Sequence, residues 1–319
     1  MTFIQRSAIT EHRPVADNLG GIGDLIAKSS STVERKYRDL LIRDDREEKT
    51  FWCFMRQTGI ASYTHEIMEE FKQVEATLGE RCNEPALDQS SLQWFVMASA
   101  TPGIFSYGGD LRHFAEKIRA GDHEALRRYG HAAVRAVHRN TVAFDLPLVT
   151  IALVQGDALG GGFEHALSFD MIVAERGTKF GLPEIMFNMI PGMGAYSFLS
   201  RRLDRKNAEA FITSGAIRTA EELFEMGIVD ILAEPGKGEQ AVRTFVGRTG
   251  RKHNALFATM QARRRVNPVT LEELMDVVDI WADAAMRLTA TDLRGMARLI
   301  AAQDRRIVPA IDNKNPACD

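Results

Sequence analysis

Hydrophobic and polar positions alternate along this chain in blocks of two kinds. Continuous apolar runs of strand length occupy residues 50–55, 92–97, 148–154, 171–174, 179–182 and 228–232, each bounded by glycine, proline or polar residues. Continuity rather than strict alternation predicts strands covered on both faces. Between them lie segments with a helical period. Thr64 caps one that runs through Leu78 to a stop at Gly79, with Ile67, Met68, Phe71 and Val74 on its inner face. Asp110 and Asp122 cap two more, the second reaching about Ala143, and a Thr219-x-x-Glu222 capping box opens another that Gly227 closes. The charged amphipathic stretch from Val33 to Leu41 reads as a lead-in helix.

Strands that alternate with helical crossovers predict parallel pairing in an α/β core. From Gly236 onward the pattern is helical only, with starts near Gly236, Asn254, Thr270 and Thr291 and a second capping box at Thr270-x-x-Glu273. The expected division is an N-terminal arm and lead-in helix over residues 1–45, an α/β core over 46–235, a helical region over 236–307 and a tail over 308–319.

Composition narrows the classes. With 40 basic and 43 acidic side chains mixed throughout, the net charge is −3 and no nucleic-acid footprint stands out. Arg263-Arg264-Arg265 is expected to be a solvated helix face. Cys53, Cys82 and Cys318 are odd in number and far apart, which argues against a disulfide frame and a zinc site and favours reduced thiols in the cytoplasm. The N-terminus has no apolar signal region, and no window approaches the roughly 18 apolar residues of a membrane span.

Chemistry concentrates where the run 148–154 ends in glycines. The stretch Val154-Gln155-Gly156-Asp157-Ala158-Leu159-Gly160-Gly161-Gly162-Phe163-Glu164-His165 reads as strand, tight turn and helix, with a carboxylate in the helix's first turn. Consecutive glycines let a ligand approach the main chain, and the N–H groups opening a helix have no partner inside it. Upstream lies Phe105-Ser106-Tyr107-Gly108-Gly109-Asp110-Leu111, and downstream Phe180-Gly181-Leu182-Pro183-Glu184. Taken alone, Glu164 could simply stabilise a helix N-terminus and Glu184 could form an ion pair.

In this order the three segments resemble the crotonase (enoyl-CoA hydratase/isomerase) superfamily: an FxxGxDL-like loop, a V-x-G-x-A-x-G-G-G-x-E turn and an F-G-x-P-E segment. Residues 211–229 resemble a fourth block of that superfamily. The resemblance implies a crotonase-type ββα spiral core whose C-terminal helices cover the acyl site and build a homotrimer or hexamer, with no metal and no cofactor. It implies that the backbone N–H groups of Gly109 and Gly161 hold a thioester oxygen. Here the chain reads Tyr-Gly-Gly-Asp-Leu where Ala-Gly-Ala-Asp-Leu is more usual. It also implies that Glu184 handles the Cα proton and Glu164 the hydroxyl or water, the two lying 20 residues apart.

Within the superfamily the whole-chain pattern is most similar to the diffusible signal factor synthases. That similarity implies dehydration of a 3-hydroxyacyl-acyl carrier protein to a cis-2-enoyl thioester, hydrolysis to a free fatty-acid signal for quorum sensing, and a sensor protein as regulatory partner. A CoA-dependent hydratase or isomerase of fatty-acid catabolism is the alternative, and a crotonase-fold binding scaffold is a third. Met186, Phe187, Met189 and Met193 form a flexible apolar set suited to an acyl chain, with core filling as the rival reading. Trp281 is a candidate wall of the same pocket, and His165 is expected to be structural.

Overall fold

The computed structural model describes residues 33–56, 59–83 and 91–312, all within one compact unit. In chain order these form β1 (Val33–Lys36), β2 (Leu40–Asp45), β3 (Thr50–Met55), α1 (His65–Cys82), β4 (Trp94–Ser99), β5 (Ile104–Ser106), α2 (Leu111–Ala120) and α3 (His123–Thr141). Then come β6 (Val149–Val154), β7 (Asp157–Leu159), α4 (Gly161–Leu167), β8 (Met171–Glu175), β9 (Lys179–Gly181), a 3₁₀ turn (Pro183–Phe187), α5 (Ala195–Leu199) and α6 (Arg205–Ser214). The chain continues through β10 (Ile217–Thr219), α7 (Ala220–Glu225), β11 (Ile231–Ala233), α8 (Gly238–Thr249), α9 (His253–Val266), α10 (Leu271–Ala285) and α11 (Ala290–Asp312).

Two sheets organise this sequence. The larger runs β1-β2-β3-β4-β6-β8-β11, antiparallel over its first three strands and parallel from β3 onward. The smaller runs β10-β9-β7-β5, parallel except at β10. Each long strand β4, β6 and β8 is followed at once by a short strand β5, β7 and β9 of the other sheet. This is the ββα spiral expected, and it refines the central stretch, because a short strand stands between β6 and α4 where a direct turn was expected.

The apolar continuity of the strands has a physical reason. In β3, Phe51, Cys53 and Met55 belong to the main core cluster with Ile67 and Leu78 of α1 and Val134 of α3, while Trp52 and Phe54 pack with Trp94, Val96, Ile151 and Leu153 against Val242 and Phe245 of α8. Both faces are dry, so both must be apolar.

Three expectations need correction. Residues 33–41 are not helical: β1 and β2 form a hairpin that extends the large sheet onto β3, so the sheet begins before residue 46. The helix from Thr64 runs through Gly79 to Cys82, and a Cβ at Gly79 would meet nothing within 4 Å. The last helix continues to Asp312, past the expected tail boundary at 308. The arm before residue 33 and the tail after 312 lie outside the described residues. No helix among the described residues is long and apolar enough to cross a membrane.

Candidate active site

The loop after β5 is fixed from both sides. Tyr107 N–H donates to Ala61 O and Tyr63 N–H to Gly108 O, each at 2.7 Å, while Ser106 Oγ accepts from Gly108 N–H at 3.1 Å. Asp110 caps α2 by accepting from the N–H groups of Arg112 and His113. Its own N–H donates to the Tyr129 hydroxyl at 3.1 Å, and that hydroxyl donates to Tyr63 O. Gly109 therefore sits between two anchored neighbours.

Across from this loop, α4 opens with glycines because backbone meets backbone there. A Cβ on Gly108 would lie 2.3 Å from Gly161 N, and one on Gly161 would lie 3.3 Å from Gly109 N. Gly108 has a φ of +83° and Gly160 of +54°, the left-handed region that favours glycine. The departure at Gly109 also has a cause, since a Cβ there would fall 2.5 Å from the Phe114 ring. Phe114 fills the space an alanine methyl would need.

Gly109, Gly161, Glu164, Glu184 and Trp281 line one cavity. Glu164 is buried, and its Oε1 accepts from Met193 N–H at 2.7 Å and Ala195 N–H at 2.9 Å. Glu184 stands opposite on the 3₁₀ turn, and its Oε1 would lie 2.7 Å from a Cβ on Gly160. Its Oε2 is sequestered from solvent without a hydrogen-bond partner. Burial pushes the Glu164 carboxyl up to about 7 against the opposing pull of its two backbone donors. Burial first, and the charge of Glu164 second, push Glu184 up to about 8. Two such carboxyls titrate as a pair, the charge on one opposing ionisation of the other.

The apolar wall is only partly as expected. Trp281 packs edge-on against Phe114, with ring centroids 5.0 Å apart, and presses on Gly192, where a Cβ would lie 2.7 Å from its ring. Phe187, Met189 and Met193 line the cavity, but Met186 does not. Its side chain is 75% exposed, which corrects its assignment to the substrate wall. A 3₁₀ turn repeats every three residues, so Glu184 and Phe187 share one face and Ile185 and Met186 point away. His165 is structural: it is buried, and its Nδ1 is 2.7 Å from the Tyr63 hydroxyl.

Sequence reasoning missed Tyr129 and Phe114, which shape the loop, and Met296, Leu299 and Gln303 of α11, which close the cavity from above. None carried a local signal, because each acts through residues distant in sequence.

Comparison with known proteins matches residues 66–272 to the enoyl-CoA hydratase/isomerase family. Over 147 residues the chain is 33% identical to a putative enoyl-CoA hydratase/isomerase, YngF, of Bacillus subtilis, covering 46% of this chain and 54% of that protein. Over 140 residues it is 31% identical to the fatty acid oxidation complex subunit alpha of Pseudomonas aeruginosa, covering 44% of this chain and 19% of that protein. The match thus spans about half the length of the first relative and a fifth of the second. The fold is similar to human mitochondrial delta3-delta2-enoyl-CoA isomerase, with a TM-score of 0.67, 16% identity, and coverage of 84% of this chain and 99% of that one. The family match extends over most of the described chain and includes the glycine turn, both glutamates and the loop of Gly109; on that ground the chain belongs to the enoyl-CoA hydratase/isomerase family.

Proposed function

We propose that this protein interconverts 3-hydroxyacyl and 2-enoyl thioesters by adding or removing water across Cα and Cβ. The observation that carries this reading is the pair of buried carboxyls, Glu164 and Glu184, lining one cavity with the backbone of Gly109 and Gly161. In the dehydration direction Glu184 takes the Cα proton, and protonated Glu164 delivers a proton to the departing hydroxyl. Negative charge gathering on the thioester oxygen meets the N–H groups of Gly109 and Gly161, which need not reorganise. One member must start as acid and the other as base, and because Glu184 is raised further than Glu164 it must release its proton before it can take one from Cα. Phe187, Met189, Met193 and Trp281 surround the acyl chain.

The description of the matching family and the name of the Bacillus subtilis relative support a CoA-linked substrate. The second reading, an acyl carrier protein-linked substrate with a cis product that is then hydrolysed to a diffusible signal, is supported by the resemblance of residues 51–55, 94–97, 162–167 and 182–188 to signal synthases. Its chemistry suits the same site, because water held by a glutamate can attack the thioester carbonyl while the same two N–H groups hold the oxygen. A sensor-type regulatory partner belongs to that reading alone.

The deciding experiment incubates purified protein with 3-hydroxydodecanoyl-CoA and with its acyl carrier protein counterpart and follows products by mass spectrometry. Enoyl-CoA as the only product supports the first reading. Free cis-2-enoic acid from the carrier-protein substrate supports the second. Absence of dehydration or hydration on either carrier refutes both.

A further inference from the structure

A second cavity, of about 630 Å³, lies between α1, α3 and β4. It falls within the roughly 300–1,000 Å³ typical of ligand pockets. None of its lining residues belongs to the cavity of the two glutamates. The consecutive residues of α4 separate the two: Glu164 lines the first, and His165 lines the second.

The walls are apolar, built from Phe71 and Val74 of α1, Phe95 and Met97 of β4, Ala136 of α3, and Phe144. A cavity so lined attracts hydrocarbon rather than a polar metabolite. The polar lining comprises His138, Asn140 and His165 together with three cationic side chains, Lys72, Arg135 and Arg139, against one carboxylate, Glu75. Arg139 is committed to Glu75 and Asp145, and Lys72 pairs with Glu69. Arg135 is exposed and, among the described residues, makes no ion pair. One uncommitted guanidinium beside an apolar chamber matches a monoanion, and its planar fork matches a carboxylate. A phosphorylated head would bring a second negative charge toward Glu75.

We propose that this cavity is a binding site for a free unbranched monocarboxylic acid, with its chain between α1 and α3 and its carboxylate on Arg135 with help from Lys72. The site is separate from the thioester chemistry and does not depend on it.

The test uses dodecanoate carrying a diazirine at its chain end, irradiated with the full-length protein and mapped by peptide mass spectrometry. Label is expected on residues 68–75 and 132–140, the parts of α1 and α3 that line only this cavity. Combined Lys72→Glu and Arg135→Glu should reduce that label about tenfold or more, the effect of losing a charge-assisted hydrogen bond. Both side chains are exposed, so fold and thioester turnover should persist. Ala136→Phe, which fills the chamber, should reduce the label similarly. Label confined to peptides lining the cavity of Glu164 and Glu184, or label on α1 and α3 unchanged in both variants, overturns the proposal.

Discussion

Glu164 and Glu184 are the same side chain held in two ways, and the proposed reaction asks a different task of each. Two backbone donors fix Glu164, whereas Glu184 keeps a sequestered oxygen without a partner. Glutamine at either position is nearly isosteric, and in Glu164→Gln the amide oxygen can still accept from Met193 and Ala195 N–H, so both variants should fold. Each substitution should lower the dehydration rate by about 10² to 10⁴, the usual worth of a general acid or base. Hydrolysis of an already unsaturated thioester should suffer more from Glu164→Gln than from Glu184→Gln; steady-state rates on the two substrates check both points. Stability carries an independent signature. Below the ordinary carboxylate pKa of 4.5, Glu184 is protonated whether the chain is folded or not, and it imposes no penalty. As pH rises, the unfolded chain ionises first while the folded one holds its proton to about 8, so stability falls across that window. The amide of the Glu184→Gln variant does not titrate. The melting temperature of that variant relative to the native protein should therefore rise from pH 5 to pH 8, and a constant or shrinking difference in thermal melts would contradict the buried pair.

At the scale of elements, α3 holds the loop of Gly109 through a single hydroxyl. Tyr129 joins Tyr63 O to Asp110 N–H, the two segments that flank Gly109. Tyr129→Phe leaves a buried carbonyl and a partly buried N–H without this partner, at a cost of about 1–3 kcal/mol. It should also lower kcat by about 10- to 100-fold with a smaller change in KM, because a small displacement of a positioned donor is costly in the transition state. Melting curves and steady-state kinetics check the two halves separately. The elements themselves were readable where the signal is local: the caps at Thr64, Asp110, Asp122 and Thr219 all close the expected N–H groups. Thr270 caps α10, but its expected capping-box partner, Glu273, turns instead to Arg201. Where partners are distant, local pattern misleads. Residues 33–41, whose charges suggested a helix, belong to a hairpin, and the charges that follow in β2 pair with distant segments, Arg43 with Glu239, Asp44 with Arg81 and Asp45 with Arg243. Likewise Arg263 and Arg264, expected on a solvated face, converge on buried Asp170. The central site was legible because the glycines, both carboxylates and the cap fall in short ordered segments; the cavity roof was not, because α11 reaches it only through the fold.

For the molecule as a whole, the residues that leave the cavity wall point to assembly. Ile185, Met186 and Ile217 are 40%, 75% and 46% exposed. They adjoin one another, since a Cβ on Gly215 would lie 2.7 Å from Ile185 and 3.4 Å from Met186, and one on Gly181 would lie 2.6 Å from Ile217. Apolar side chains grouped in this way mark an interaction surface more often than scattered exposure does. The same turn carries Glu184 inward and Met186 outward, so a neighbouring copy seated on this face would stiffen the segment that presents the carboxyl to substrate. We therefore expect copies of the chain to associate on this face; the resemblance to the superfamily sets the expected number at three or six, a native mass of three or six times the 35.6 kDa chain. Met186→Asp combined with Ile217→Asp places charge on the exposed face without touching the core, and should yield single chains that remain folded. Activity should fall in that variant even though both glutamates are intact, because Glu184 loses the support of its turn. Native mass spectrometry and circular dichroism separate the outcomes: a native protein that runs as a monomer removes the assembly, while a dissociated variant with full activity keeps the assembly but removes its link to Glu184.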